Sequence, residues 1–365
     1  MKISSVQADL VLLPVQELFD AAEDPKAVFP TVTLRLRTDA GIEGIGITFW
    51  GAALSRSLRA ATEELAVLAV GQDPTRMDAI LKKLQDAAGG TCGPGGIYTL
   101  ALAAIDIALW DIRGKAQNQP LWQMLGGARQ SVPAYASGAL RRGLSLEQAT
   151  TVARKLAEAG YKQMKTQLGL PGDPTPQQEV ERARLVRQAC GPEVALMCDI
   201  NQRWRVEQAI DIGHRLEDAG VGFFWLEDVS AHDDYAGLAR VTAALSTPIA
   251  GGEYVWGIVP FRHMIEVHSV DIPMIDLARV GGITPWLKVA GMAEAFNLPV
   301  VSHVFPELHC QLVAAAPNGL TVEYMPRFQR LFVDSPTPRG GAMTMPSGPG
   351  IGLTFDEATI AKYRT

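Results

Sequence analysis

The sequence predicts an α/β protein in which a parallel β/α barrel follows a smaller N-terminal domain. Three short apolar runs each end in an acidic residue, at Asp199, Glu227 and Glu253. The acids are 28 and 26 residues apart, which is the length of one strand, one helix and two connecting loops. From residue 132 onward, short strand patterns alternate with helical patterns, as in a parallel α/β fold. The 365 residues fit a barrel of about 250 residues and one further domain.

Composition limits the classes of partner. The chain is 47% apolar and 20% charged, which is ordinary for a folded protein with a large core. A net charge of −6 gives no electrostatic reason to bind nucleic acid or an anionic membrane. Residues 1–5 lack the apolar core of a signal peptide, and no apolar run approaches the roughly 20 residues of a membrane span. The four cysteines form no CxxC pair, so we expect reduced thiols in a cytoplasmic protein.

The first 127 residues predict an α+β capping domain. Residues 31–37 and 42–47 alternate polar and apolar side chains around a turn at 38–41, which predicts an antiparallel hairpin. The long polar segment 16–26 is typical of a lid, and residues 49–52 are a second candidate loop. Helical patterns follow from residue 55 to residue 122, including apolar spacing over 100–115. We interpret the glycine-rich run 89–96 as a loop, because it matches no phosphate-binding motif.

Residues 128–340 predict the barrel, and residues 341–365 predict a C-terminal segment that packs back on the capping domain. The eight expected strands are 132–137, 163–168, 195–201, 223–228, 248–253, 274–278, 300–304 and 320–324. Helical patterns lie between them, for example at 146–159, 177–190, 206–219 and 286–296. Eight strands with intervening helices favour a closed barrel over an open sheet.

A closed barrel brings the carboxyl ends of its strands to one face, where active sites of such barrels lie. Asp199, Glu227 and Glu253 would then meet there as three hard oxygen ligands for Mg2+. Asp276 and His303 end the sixth and seventh strands, and a carboxylate beside an imidazole makes that imidazole a better general base. The other five histidines fall on helices or loops, and we interpret them as structural.

Two further strands carry candidate side chains. Glu323 ends strand eight, where a protonated carboxylic acid would donate a hydrogen bond to an enolate oxygen. Lys165 and Gln167 lie on strand two, and the alternation of a strand points both into the barrel mouth. Lys165 would be a cation placed opposite the metal.

These residues resemble those of a known family. Along nearly its whole length, the chain resembles the mandelate racemase subgroup of the enolase superfamily. The matching stretches are 104–116, 119–127, 197–201, 225–228, 252–253, 281–282 and 302–303, together with Asp276. The resemblance implies a modified TIM barrel, (β/α)7β, with an N-terminal α+β capping domain whose segments 16–26 and 49–55 close over the substrate. It also implies a homo-oligomer, from dimer to octamer.

The resemblance assigns roles to these residues. Asp199, Glu227 and Glu253 would hold Mg2+, and His303 with Asp276 would be the acid/base. Glu323 would act as electrophile on the carboxylate of a small-molecule substrate, and Asn201 would lie near its α-substituent. Further candidates for specificity are Trp50, Tyr135, Arg203, Tyr254 and Phe305.

Gln167 departs from the family pattern. The subgroup usually has a second lysine there, acting as a base on the face opposite the histidine, and an amide cannot take a proton. With one base left, we expect abstraction of the α-proton and loss of a β-hydroxyl, which is dehydration of an acid sugar (an aldonate or aldarate) to a 2-keto-3-deoxy acid. The alternatives are a racemase or epimerase with a substitute base, and a catalytically silent binding protein.

Overall fold

The N-terminal domain is an antiparallel sheet covered by helices. The computed structural model describes residues 1–20, 26–49, 51–127 and 129–365. Strands β1 (Ile3–Pro14), β2 (Val28–Thr38) and β3 (Glu43–Phe49) form the sheet in that order. The predicted hairpin is confirmed, because β2 and β3 pair antiparallel.

Five helices follow the sheet. They are α1 (Ser55–Val67), α2 (Met77–Leu84), α3 (Gly90–Cys92), α4 (Gly96–Gln117) and α5 (Leu121–Met124). The central helix α4 lies directly on β3, where a Cβ atom added to Gly46 would stand 1.9 Å from the carbonyl oxygen of Ala104. Only a glycine permits this approach, which brings the helix backbone against the strand.

The predicted loop at 89–96 is partly wrong. A π-helical turn, Gln85–Gly89, continues α2 into α3, so the helical path extends to Cys92. The helix ends where Gly93 adopts a φ of +65°, a left-handed conformation that glycine enters without steric cost. Glycines earlier in the run stay right-handed, and composition alone does not reveal which glycine stops a helix.

The barrel consists of eight parallel strands, and the predicted fold class is confirmed. In chain order the barrel elements are β4 (Ser131–Leu140), α6 (Leu146–Glu158), β5 (Gln163–Gln167), α7 (Pro176–Cys190), β6 (Ala195–Asp199), α8 (Val206–Asp218), β7 (Leu226–Glu227), α9 (Tyr235–Ala244), β8 (Ile249–Gly251), α10 (Val259–Glu266), β9 (Ile272–Asp276), α11 (Leu277–Val280), α12 (Ile283–Ala295), β10 (Val301–His303), α13 (Pro306–Ala315) and β11 (Val322–Tyr324). Neighbouring strands pair in the order β10-β9-β8-β7-β6-β5-β4-β11. A parallel bridge between Val300 and Gly319 joins the two ends of this sheet.

The eighth strand ends the repeat. A 3-10 turn, Pro326–Leu331, follows β11 where the seven earlier strands are each followed by an α-helix. Strand β12 (Ala342–Thr344) then pairs antiparallel with the start of β4, and α14 (Glu357–Tyr363) follows. Beyond α14, Arg364 bridges to Val11 of β1, so the chain end lies against the capping domain.

Two apolar cores support this arrangement. A small cluster fills the barrel interior and includes Tyr135, Met197, Trp225 and Met274. A much larger cluster packs the barrel helices and continues into the capping domain, so both domains share buried apolar surface. Within the described ranges, no helix has the length and apolarity of a membrane span.

Candidate active site

A cavity of about 520 Å3 lies at the carboxyl ends of the barrel strands, beneath the capping domain. Seven of the nine residues proposed from the sequence line it: Lys165, Gln167, Asp199, Asn201, Glu253, His303 and Glu323. The other two, Glu227 and Asp276, are fully buried behind this surface and contact Lys165 and His303. The β/α repeat therefore delivers all nine residues to one region.

The expected metal ligands are only partly grouped. Oxygens of Glu227 and Glu253 lie within 4.8 Å of each other, and the third carboxylate of that group belongs to Asp228. Asp199 is the register partner of Glu227 on the next strand and faces the same cavity. Both of its oxygens accept hydrogen bonds from Asn201, from the backbone N–H at 2.7 Å and from Nδ2 at 2.7 Å.

The electrostatics of these acids fit a divalent cation. Burial raises the pKa of Asp199 to about 6 and the pKa values of Glu227 and Asp228 well above their ordinary range. The neighbouring carboxylates add to this by repulsion, while Lys165 opposes it. Converging hard oxygen donors that repel one another are the donor set that Mg2+ prefers.

Lys165 lies between two glutamates. Its Nζ is 2.5 Å from Oε1 of Glu227 and 2.8 Å from Oε1 of Glu323. Burial disfavours the ammonium form, but these two carboxylates outweigh it and raise the pKa of Lys165 well above its ordinary value. Lys165 therefore lies directly beside Glu227, one of the expected metal ligands, and its expected place opposite the metal stays a prediction.

His303 and Asp276 form the predicted pair. They are register partners at the ends of β10 and β9, and Nδ1 of His303 is 2.6 Å from Oδ2 of Asp276. On its other side, Nε2 of His303 is 3.3 Å from Oε2 of Glu253. Burial lowers the pKa of His303, but Glu253 and Asp276 outweigh it, so the pKa is raised overall.

Glu323 is held as a carboxylate. One of its oxygens contacts Lys165, and Oε2 accepts a hydrogen bond of 2.7 Å from the backbone N–H of Val304. Burial alone would raise the pKa of Glu323, but Lys165 and His303 hold it at about 2. These contacts do not favour the protonated acid that the sequence suggested. Across the same turn, Nδ1 of His309 is 2.6 Å from the carbonyl oxygen of Val304, a structural role as expected.

Gln167 belongs to an amide network on the cavity wall. Its Nε2 donates to Oδ1 of Asn201 at 3.3 Å, and its Oε1 accepts from the backbone N–H of Arg142 at 3.3 Å. The guanidinium of Arg142 also donates to Oδ1 of Asn201. Neither amide accepts a proton near neutral pH, and the guanidinium stays charged. These three side chains supply no substitute base.

A second cluster at the cavity was missed by sequence reasoning. Glu17, from the polar segment after β1, is buried with Oε1 3.1 Å from Arg141 and 3.5 Å from Arg327. Gly138 makes room for it, since a Cβ atom there would stand 2.4 Å from Oε2 of Glu17. These residues are far apart in the chain, and no local pattern pairs them.

Four of the five suggested specificity positions can be located, and none of the four is among the described residues that line this cavity. Trp50, like residues 21–25 of the predicted lid, lies outside the described residues. Tyr135 is buried in the barrel interior, Arg203 lines a separate surface cavity, and Phe305 stacks on Phe328. Tyr254 packs against the guanidinium of Arg279, 5.3 Å from the ring centre. Phe29 and Phe49 of the capping domain do line the cavity, and the specificity roles of the four other side chains stay predictions.

Comparisons with known proteins agree with this geometry. Residues 11–126 match the mandelate racemase / muconate lactonizing enzyme N-terminal domain, and residues 147–359 match the enolase C-terminal domain-like family. The chain belongs to this family. The predicted resemblance to the enolase superfamily is thereby confirmed.

Several relatives in this family are sugar-acid enzymes. L-talarate/galactarate dehydratase of Salmonella typhimurium LT2 is 30% identical over 98% of this chain and 89% of its own. A crystal structure of L-talarate dehydratase from Polaromonas sp. JS666, complexed with Mg and L-glucarate, has a TM-score of 0.89 at 30% identity. It covers 100% of this chain and 97% of that one. A 3,6-anhydro-alpha-L-galactonate cycloisomerase of Streptomyces coelicolor is 29% identical over 97% of each chain.

Proposed function

We propose that this protein is a Mg2+-dependent acid-sugar dehydratase, a hydro-lyase that converts an aldonate or aldarate to a 2-keto-3-deoxy acid. The observation that carries the proposal is that the cavity is lined by His303, which is paired with the buried Asp276, and by Gln167 at the position of the expected second base. One base suffices for elimination, whereas racemisation by two bases needs a second. The dehydratase names of several relatives support the same reaction class.

Asp199, Glu227 and Glu253 would hold the Mg2+ ion. When bound, the ion supplies positive charge that stabilises an enediolate formed from the substrate carboxylate. Lys165 adds a fixed ammonium beside Glu227, and Glu323 keeps this ammonium in place. Electrostatic stabilisation of this kind provides much of the barrier reduction for a weakly acidic α-proton.

His303 carries the proton. Asp276 accepts from its Nδ1, so in the neutral imidazole Nε2 carries no proton, and this atom can act as the base because His303 lines the cavity. Nε2 takes the α-proton as the C–H bond breaks, and the imidazolium returns that proton to the β-hydroxyl as the C–O bond breaks. Water leaves, and the enol product tautomerises to the keto acid. Asn201 and Gln167 hold the hydroxyl next to the carboxylate.

A panel of aldonates and aldarates with Mg2+ tests the proposal, with the keto-acid product detected as its semicarbazone. We expect product from at least one acid, and none from His303→Asn. His268→Asn is the matched control, since His268 is exposed and its φ of +54° suits asparagine. In D2O, an epimer labelled at the α-carbon without loss of water would instead indicate a racemase. Binding without turnover would indicate a silent binding protein.

Two expectations extend beyond the site. We propose that the enzyme acts in the cytoplasm as a homo-oligomer, and that neither nucleic acid nor a membrane is a partner. The mass of the purified protein by light scattering measures the oligomeric state, and a monomer at micromolar concentration would contradict it.

A further inference from the structure

Asp228 has an unusual backbone conformation and lies beside the carboxylates of Glu227 and Glu253, two of the expected metal ligands. It directly follows Glu227, the last residue of β7, and its φ is +45°. In a regular strand, two consecutive side chains point to opposite faces of the sheet. The left-handed conformation rotates the side chain of Asp228 back, so its carboxylate joins those of Glu227 and Glu253.

The distances suit one shared cation. Oxygens of Glu227, Asp228 and Glu253 all lie within 4.8 Å of one another. Two oxygens on opposite sides of one Mg2+ ion are about 4.2 Å apart, because each Mg–O distance is about 2.1 Å. The three carboxylates are therefore close to the separation that a single ion spans.

Asp228 also has an oxygen that needs a partner. The residue is only 4% exposed, and its Oδ2 has no hydrogen-bond partner among the described residues. Both oxygens of Asp199, in contrast, already accept hydrogen bonds from Asn201. A buried carboxylate oxygen without a donor is costly unless a cation or a donor satisfies it.

We propose that Asp228 is a further carboxylate of the cation site, acting on the divalent ion together with Glu227 and Glu253. The inference rests on the metal requirement of the proposed function and is independent of which acid sugar is the substrate. It adds a ligand to the set expected from the family resemblance.

Metal binding to the whole protein without substrate tests this proposal. Mn2+ titration followed by electron paramagnetic resonance, and Mg2+ titration by calorimetry, give the dissociation constants. We expect Asp228→Asn to weaken Mn2+ binding tenfold or more, and Asp228→Glu to restore it to within about threefold of the wild type. Asp233→Asn removes an exposed charge from the same loop and should leave binding unchanged.

Binding of Mn2+ by Asp228→Asn within twofold of the wild type would overturn the proposal. Thermal unfolding in EDTA shows whether each variant is folded. If Asp228→Asn does not fold, Asp228→Ser replaces it with the same expected loss. If metal binding depends on Asp228 but the protein dehydrates no acid sugar, the proposed function is contradicted and the role of Asp228 is not.

Discussion

Nδ1 of His303 lies 2.6 Å from Oδ2 of Asp276, and the two residues are register partners on neighbouring strands. The strand pairing itself sets this contact, so the orientation of the imidazole does not depend on a flexible loop. Asp276 has a second task, since its Oδ1 accepts a hydrogen bond from the backbone N–H of Arg279 and caps α11. The carboxylate of Asp276 therefore both orients the imidazole of His303 and caps the start of α11.

Asp276→Asn should lower kcat by about 10²- to 10⁴-fold, the usual contribution of general acid–base catalysis. Asparagine is a good helix cap, so the fold should survive and the thermal midpoint should change little. His303 must be neutral to act as base, so kcat/KM falls as pH drops through its raised pKa. Removing Asp276 lowers that pKa, and the acid limb of the pH profile should move to lower pH. An unchanged acid limb would contradict the assigned partnership.

Gln167→Lys should introduce a second base. Gln167 lines the cavity and pairs in register with Asp199. A lysine at this position should therefore reach the substrate and supply the base that glutamine cannot. We expect α-proton exchange with D2O, followed by nuclear magnetic resonance, to rise at least about tenfold. Gln167→Met has a similar volume and no base, and it should show no gain. Equal exchange in the two variants would mean that this position does not face the α-carbon.

The strand tips were predictable because a repeat fixes them. Apolar runs of strand length, spaced at 28 and 26 residues, determine where Asp199, Glu227 and Glu253 lie once the barrel closes. The same regularity placed Asp276 beside His303. Patterns of this kind can be recognised without knowledge of tertiary contacts, because the residues of each strand show where that strand alternates and where it ends.

What departs from the repeat was not predictable. The φ of +45° at Asp228 reverses the side-chain direction that alternation assigns, and no local residue pattern signals it. Glu17 reaches Arg141 and Arg327 only after the capping domain docks on the barrel. Lys165 forms ion pairs with both Glu227 and Glu323 because the three strands that carry these residues converge. The spacing of the residues along the chain does not give the distances between their side chains.

Glu17→Gln should raise KM about tenfold while kcat stays within about threefold. Glu17 ties the segment after β1 to two arginines of the cavity wall, and a hydrogen bond to a charged group is worth about 1.5–3 kcal/mol. The substitution leaves His303 and the expected metal ligands unchanged, so kcat should change little. Steady-state kinetics on the best acid of the panel measure both constants. Glu63→Gln breaks a more exposed ion pair with Arg59 and serves as control; equal effects of the two changes would rule out a specific role for Glu17.

Glu307 should make stability depend on pH. It is 1% exposed, Oε1 accepts from Ser335 at 3.1 Å, and Oε2 has no partner among the described residues. Burial raises its pKa from 4.5 to about 7. The folded protein holds the neutral acid, so the contribution is fully present below pH 4.5 and is lost as pH rises through 7. At about 1.4 kcal/mol per pKa unit, the loss amounts to about 3 kcal/mol.

Glu307→Gln removes this titration, because the amide stays neutral at every pH. We therefore expect the free energy of unfolding of the wild type, relative to the variant, to fall by about 3 kcal/mol between pH 4.5 and pH 8. Urea unfolding at several pH values measures the difference, and any constant cost of the amide cancels in it. Glu266→Gln, an exposed change on α10, should show no such trend. A difference that is flat with pH would mean that Glu307 is ionised in the folded protein, stabilised by a partner other than Ser335.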